Sequence, residues 1–148
     1  MKRLRKFFSL PAAERGFLIK ASILLSAIEV GMRVLPFRAL RHLLTRAADT
    51  PRRPRRADYP SARRIGQAVE TANYHTPGAG TCLAQALATQ VLLARSGYPA
   101  LLHLGVARRE REDFQAHAWV ESEGEIVIGG SEPGRYTTLA ILEVEGRP

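Results

Sequence analysis

The chain has 148 residues, 45% of them hydrophobic and 24% charged, a balance that excludes a disordered polymer and suits one globular domain with a modest core. Residues 1–66 carry 16 Lys and Arg against four acidic side chains, a balance of +12, whereas residues 67–148 carry six Arg against ten acidic side chains, a balance of −4. The single cysteine, Cys82, excludes an internal disulfide framework and points to a reducing compartment. The four scattered histidines, His42, His75, His103 and His117, give no metal-ligand spacing, so no metal and no cofactor is expected in the chain itself.

At the N-terminus, MKRLRKFF resembles the basic start of a targeting segment, and FLIKASILLSAI resembles its apolar continuation. Charged residues break that pattern. The longest uncharged run after Lys20 is Ala21–Ile28, far below the ~20 apolar residues a membrane span needs. A cytoplasmic, non-spanning protein is expected, with peripheral contact of a basic amphipathic helix with lipid left open.

Residues 11–34 are predicted helical. Pro11 suits a first turn, and Phe17, Ala21, Leu24, Ile28 and Met32 recur at spacings of three and four, with Leu18, Leu25 and Val34 widening the stripe. Pro36 ends that helix and a shorter one follows over Phe37–Arg46, so residues 1–48 form an N-terminal helical segment. DTPRRPRRADYPSARR is too rich in Pro and Arg to pack, which makes residues 49–60 a linker. The core then covers residues 61–148. Ser61–Asn73 reads as a helix, Tyr74–Gly80 as a loop, and Thr81 as the N-cap of a helix over Cys82–Ser96 that Gly97 terminates. Strands are predicted over Pro99–Ala107, Phe114–Glu121, Glu125–Gly129 and Tyr136–Val144, the middle two forming a hairpin about Ser122–Gly124. Helices followed by antiparallel strands define an α+β fold.

A lone cysteine in a helix is ordinarily inert core filling, and a lone histidine ordinarily a satisfied core or surface residue. Cys82 differs in opening its helix, where free N–H groups and the macrodipole favour a thiolate. The Gly- and Pro-containing loop before it lets a substrate backbone come close. His117 follows in mid-strand, on one face with Trp119 and Glu121, while Ala118 and Val120 share the other. A histidine near such a helix start can take the thiol proton and return it to a leaving amine.

The block TCLAQALATQVLLARSGYPALLHLGVARREREDFQAHAWVE resembles the stand-alone leader-peptide protease of lasso-peptide biosynthesis, a family of cysteine proteases with a transglutaminase-like, papain-like core. Its members carry Cys-Leu-x-x-Ala-Leu opening a helix, a Gly-Val strand, and Ala-His-Ala-Trp-Val-Glu. Their N-terminal Leu-Pro-x-x-Glu-Arg and Leu-Pro-Phe-Arg are matched here by LPAAER and LPFRAL, so the resemblance covers nearly the whole chain. It implies a Cys-bearing helix packed on an antiparallel sheet bearing the His, and a Cys–His–Asp triad. Cys82 carries over as nucleophile and His117 as general base. No Asp occurs where the third member belongs. Pairing about Glu123 puts Gly129 opposite His117, leaving Glu132, favoured slightly, Asp113 or a backbone carbonyl to orient the imidazole. Glu121 shares the His117 face but lies about 13 Å along the strand. The oxyanion site would use the Cys82 N–H, helped by Asn73 or Tyr74.

The resemblance implies removal of the leader from a ribosomally made precursor, in an antibiotic-type pathway, before macrocyclisation. The implied partners are the precursor, a separate leader-recognition protein and a lasso macrocyclase, which would be the component using ATP. The basic N-terminal half is a docking surface for the recognition protein or for an acidic leader, or simply a solvated face. Two other readings use the same residues: transglutaminase-like acyl transfer to an amine, and a non-enzymatic basic adaptor for nucleic acid or membrane with Cys82 buried. Nucleic acid is not the expected partner, since the arginine-rich linker holds one Tyr and little of the aromatic interleaving that single-strand binders use.

Overall fold

The computed structural model describes residues 2–49, 60–75, 81–108, 114–130, 134 and 136–143. Five helices, α1 Lys2–Phe8, α2 Ala12–Val34, α3 Phe37–Ala48, α4 Ala62–His75 and α5 Cys82–Arg95, precede β1 Leu101–Arg108, β2 Phe114–Ser122, β3 Glu125–Ile128 and β4 Thr137–Glu143. The strands pair antiparallel in the order β3-β2-β1-β4, so the fold is α+β as the patterning implies. No described helix is long and apolar enough to cross a membrane. Most of the arginine-rich stretch lies outside the described residues, as do Asp113 and Glu132.

Local chemistry sets the helix ends. Pro11 and Pro36 occupy the N-cap positions of α2 and α3, and Leu35, immediately before Pro36, is extended, which stops α2. The α5 C-terminus closes with Gly97 at φ +82°, Gly97 N–H donating to Ala94 O and Tyr98 N–H to Leu93 O, a Schellman end. Two elements depart from the sequence reading. Residues 2–8, placed in the N-terminal helical segment without a helix of their own, fold as α1. α4 runs on to His75, because nothing between Asn73 and Thr76 breaks a helix and the first breaker is Pro77.

Ala21, Leu25 and Ile28 of α2, Leu40 and Leu44 of α3, and Ile65 and Val69 of α4 bury themselves in one cluster around α5 and the sheet. α5 is enclosed from Ala86 to Leu93, more than two full turns. The one large polar side chain within that enclosed stretch, Gln90, is 1% exposed and fully engaged. Gln90 Nε2 donates to Ala100 O (3.2 Å) and Leu142 O (2.7 Å), and Gln90 Oε1 accepts from Arg41 Nη1 (2.8 Å). These bonds tie α3, α5 and the ends of β1 and β4 together. Burial pushes the Arg41 guanidinium below its ordinary pKa.

The sheet turns its Leu102, Ala118 and Val120 face to the helices. The β2–β3 hairpin turns through Glu123 (φ +53°) and Gly124 (φ +83°), a type I′ pair of left-handed residues. A bulge then changes the register: Glu121 pairs with Ile126, but Val120 pairs with Ile128. α4 lies against β3 so closely that Gly66 has no room for a Cβ, which would run into the Val127 carbonyl and force the two elements apart. Gly66→Ala is therefore expected to lower stability by about 1–3 kcal/mol, read as a lower urea midpoint at unchanged slope.

Candidate active site

Cys82 is the first residue of α5 and half-buried. Two interactions fix the helix start. Thr81 Oγ1 accepts from Ala84 N–H at 3.2 Å, the N-cap the sequence predicts, and Thr81 N–H donates to Glu29 Oε1 of α2 at 2.9 Å. The Glu29 contact has no local signal, because its partners are 52 positions apart. The Glu29 carboxylate thus faces the N-terminal, positive end of α5.

His117 sits in β2, half-buried, where alternation places it with Trp119 and Glu121 on the face opposite Ala118 and Val120. β3 stops at Ile128, level with Val120, so the described pairing of that β2 edge ends before His117. The two-residue turn at Glu123-Gly124 and the bulge each shift the pairing by one residue, so Gly129 reaches the level of Trp119 and not, as unbulged pairing about Glu123 required, that of His117. Even so, the Gly129 carbonyl lies 2.6 Å from His117 Nε2. A carbonyl only accepts, so Nε2 carries the proton and Nδ1 of the neutral ring is left with a lone pair. The left-handed conformation of Gly129 (φ +76°), favourable only to glycine, accompanies this placement. Of the orienting groups the sequence left open, a backbone carbonyl is the one the described residues place on the imidazole. Glu132 and Asp113 lie outside them.

An aromatic array holds the ring. Tyr136 stacks on His117 with centroids 4.8 Å apart, and Trp119 lies 6.2 Å away on the same strand face. Trp119 in turn stacks nearly parallel on His103 at 5.2 Å. Gly105, the β1 partner of His117, makes room, since a Cβ there would come within 2.8 Å of the Trp119 ring. Glu121 is turned to another partner: its Oε2 is 3.3 Å from His103 Nε2, close but misaligned for a hydrogen bond. Tyr136 is a neighbour of His117 that sequence reasoning missed, because only the β1–β4 pairing brings it there.

α5 packs directly on β2 through the face of Ala118 and Val120, while the His117 side chain stands on the other face of the strand. The side chains themselves share no hydrogen bond among the described residues. Proton exchange requires hydrogen-bond reach, which catalytic groups in unliganded enzymes often attain only with substrate bound. Asn73 Oδ1, near the end of α4, is buried without a hydrogen-bond partner. Among the described residues, no three His, Cys, Asp or Glu side chains group as metal ligands.

Residues 23–141 match the family model of the Transglutaminase-like superfamily, and the chain belongs to that superfamily. The match runs from α2 into β4 and includes both Cys82 and His117. Its members are typically enzymes, cysteine proteases or acyl transferases. No curated protein and no solved structure matches the chain.

Since Thr81 and Glu29 secure one helix start, Thr81→Ala and Glu29→Ala are each expected to cost about 1 kcal/mol in urea denaturation. The double variant should cost less than the sum, because both substitutions loosen the same N-terminus.

Proposed function

We propose that the protein is a cysteine endopeptidase that removes the leader from a lasso-peptide precursor. The observation that carries this reading is a Thr81-capped helix start bearing the lone cysteine, on a helix packed against the strand of His117, within a transglutaminase-like chain. The CLAQAL and AHAWVE blocks narrow the reading from superfamily to leader peptidase by resemblance.

In this mechanism Cys82 Sγ attacks the carbonyl carbon of the bond joining leader to core, after its proton passes to His117 Nδ1. The Cys82 N–H, at the positive end of α5, stabilises the oxyanion. His117 protonates the departing amine, the core peptide leaves, and the leader remains as a thioester on Cys82. Water, deprotonated by His117, releases the leader and restores the thiol. The Gly129 carbonyl fixes the tautomer by holding Nε2–H, but as a neutral dipole it stabilises the imidazolium less than a carboxylate does. The precursor comes from a separate leader-recognition protein, and the product passes to an ATP-using macrocyclase. No metal or cofactor takes part in the peptidase step, and the compartment is the cytoplasm.

The superfamily equally supports acyl transfer to an amine, in which the same thioester forms by loss of ammonia from a glutamine side chain. Mass spectrometry of the precursor peptide encoded nearby, incubated with this chain and the recognition protein, separates the readings. One internal cut, lost in Cys82→Ala, is the expected result. An intact peptide with both proteins folded contradicts the proposal. In a second assay, iodoacetamide labelling of Cys82 at neutral pH should slow by about tenfold in His117→Ala. An unchanged rate contradicts the assigned pair.

A further inference from the structure

A groove among the described residues lies between α1, α2 and α4, lined by no residue of the sheet. Its volume is about 1320 Å³. Its floor and walls are apolar: Phe7 and Leu10 from α1 and the turn after it, Phe17 and Leu18 from α2, and Ala68 from α4. Its charged lining consists of Lys6, Arg64 and Glu14, with Arg64 Nη1 and Glu14 Oε1 3.5 Å apart across α4 and α2. α1 adds Lys2 and Arg5, both exposed, and carries no acidic residue. The wall therefore favours an occupant that is apolar on one side and acidic on the other.

The direction of the groove links it to Cys82. Glu14 meets Arg64 near the start of both helices, and Glu29 meets Thr81 just beyond the end of α4, so α2 and α4 run side by side in the same sense. The groove follows them from Pro11 to Ile23 on one wall and from Arg64 to His75 on the other, about 16–18 Å at 1.5 Å per residue. From Ile23 to Glu29, whose carboxylate holds the residue before Cys82, is six further residues of the same helix, about 9 Å. An extended peptide of about five residues fills the groove, and about three more reach the thiol.

We propose that this groove binds the segment of the polypeptide substrate next to the bond attacked by Cys82, with apolar side chains against Phe7, Phe17 and Leu18 and acidic ones against Lys6 and α1. This deepens the proposed function and rests on Cys82 being the nucleophile. The occupant is a substrate segment because the wall suits an apolar, acidic peptide and the groove's end at Ile23 lies on the same helix as Glu29, which holds the residue before Cys82.

Binding is tested separately from chemistry with the full chain bearing Cys82→Ser. The probe is a fluorescein-labelled peptide of alternating leucine and glutamate, with leucine–lysine and serine–glutamate peptides as controls, read by fluorescence anisotropy. The leucine–glutamate peptide should bind at least about tenfold more tightly than either control. Ala68→Trp, which fills the groove, and Lys6→Glu, which reverses an exposed charge at little risk to folding, should each weaken it about tenfold with circular dichroism unchanged. No binding, no preference over the controls, or equal binding by wild type and Lys6→Glu overturns the proposal. With Cys82 intact and precursor as substrate, Lys6→Glu should raise KM and leave kcat alone. Cleavage with unchanged KM in both groove variants overturns the groove while the peptidase reading stands. Groove-dependent binding without Cys82-dependent cleavage overturns the peptidase reading and the substrate assignment with it, leaving a peptide-binding groove.

Discussion

A helix closed off from water for more than two turns has to satisfy every polar atom it carries: in α5 Thr89 donates back to the Gln85 carbonyl, and Gln90 reaches out to the neighbouring elements. Gln90 spends its carbonyl on Arg41 and its amide hydrogens on Ala100 and Leu142, so the helix cannot slide or rotate without breaking bonds to α3, β1 and β4 together. An unsatisfied buried amide costs about 1–3 kcal/mol per lost partner, and here the stranded partners would include a partly buried guanidinium. The position of Cys82 follows from this anchoring. The thiol is the first residue of the one helix that the rest of the molecule is packed around.

The two ends of α5 are managed differently. Gly97 closes its C-terminus with local hydrogen bonds, a device any isolated helix could use. Its N-terminus is held from a distance, by the Glu29 carboxylate on the Thr81 N–H, together with the local threonine cap. That contact makes α2 part of the site. The groove proposed for substrate lies along the same helix, so α2 both sets the start of α5 and lines the approach to it.

Much of this was legible in the sequence, for reasons that differ by element. The α2 stripe was readable because Ala21, Leu25 and Ile28 repeat at helical spacing, and the start of α5 because threonine before a helix is a strong local signal. The hairpin was readable from Glu123-Gly124, but its register was not. One bulge at Val127 moves Gly129 by a residue, and bulges leave no pattern when both neighbours are apolar. The Gly129 carbonyl could be suspected only as backbone, since every residue has one, and Tyr136 only after β4 was paired to β1. Glu29 looked like an interruption of an apolar run. Its role depends on a partner 52 residues away, which no local pattern encodes.

The central claim is that Cys82 forms a thioester with the N-terminal portion of a cleaved peptide. The most direct measurement is the intact mass of the protein, acid-quenched during turnover with precursor and recognition protein, followed by peptide mapping. The account predicts an adduct on Cys82 with the mass of the leader fragment less water, removed by hydroxylamine. An adduct equal to the whole precursor less ammonia would contradict it in favour of acyl transfer from glutamine. Cleavage with the adduct on another residue, or with none at Cys82 when hydrolysis is slowed, would contradict it outright.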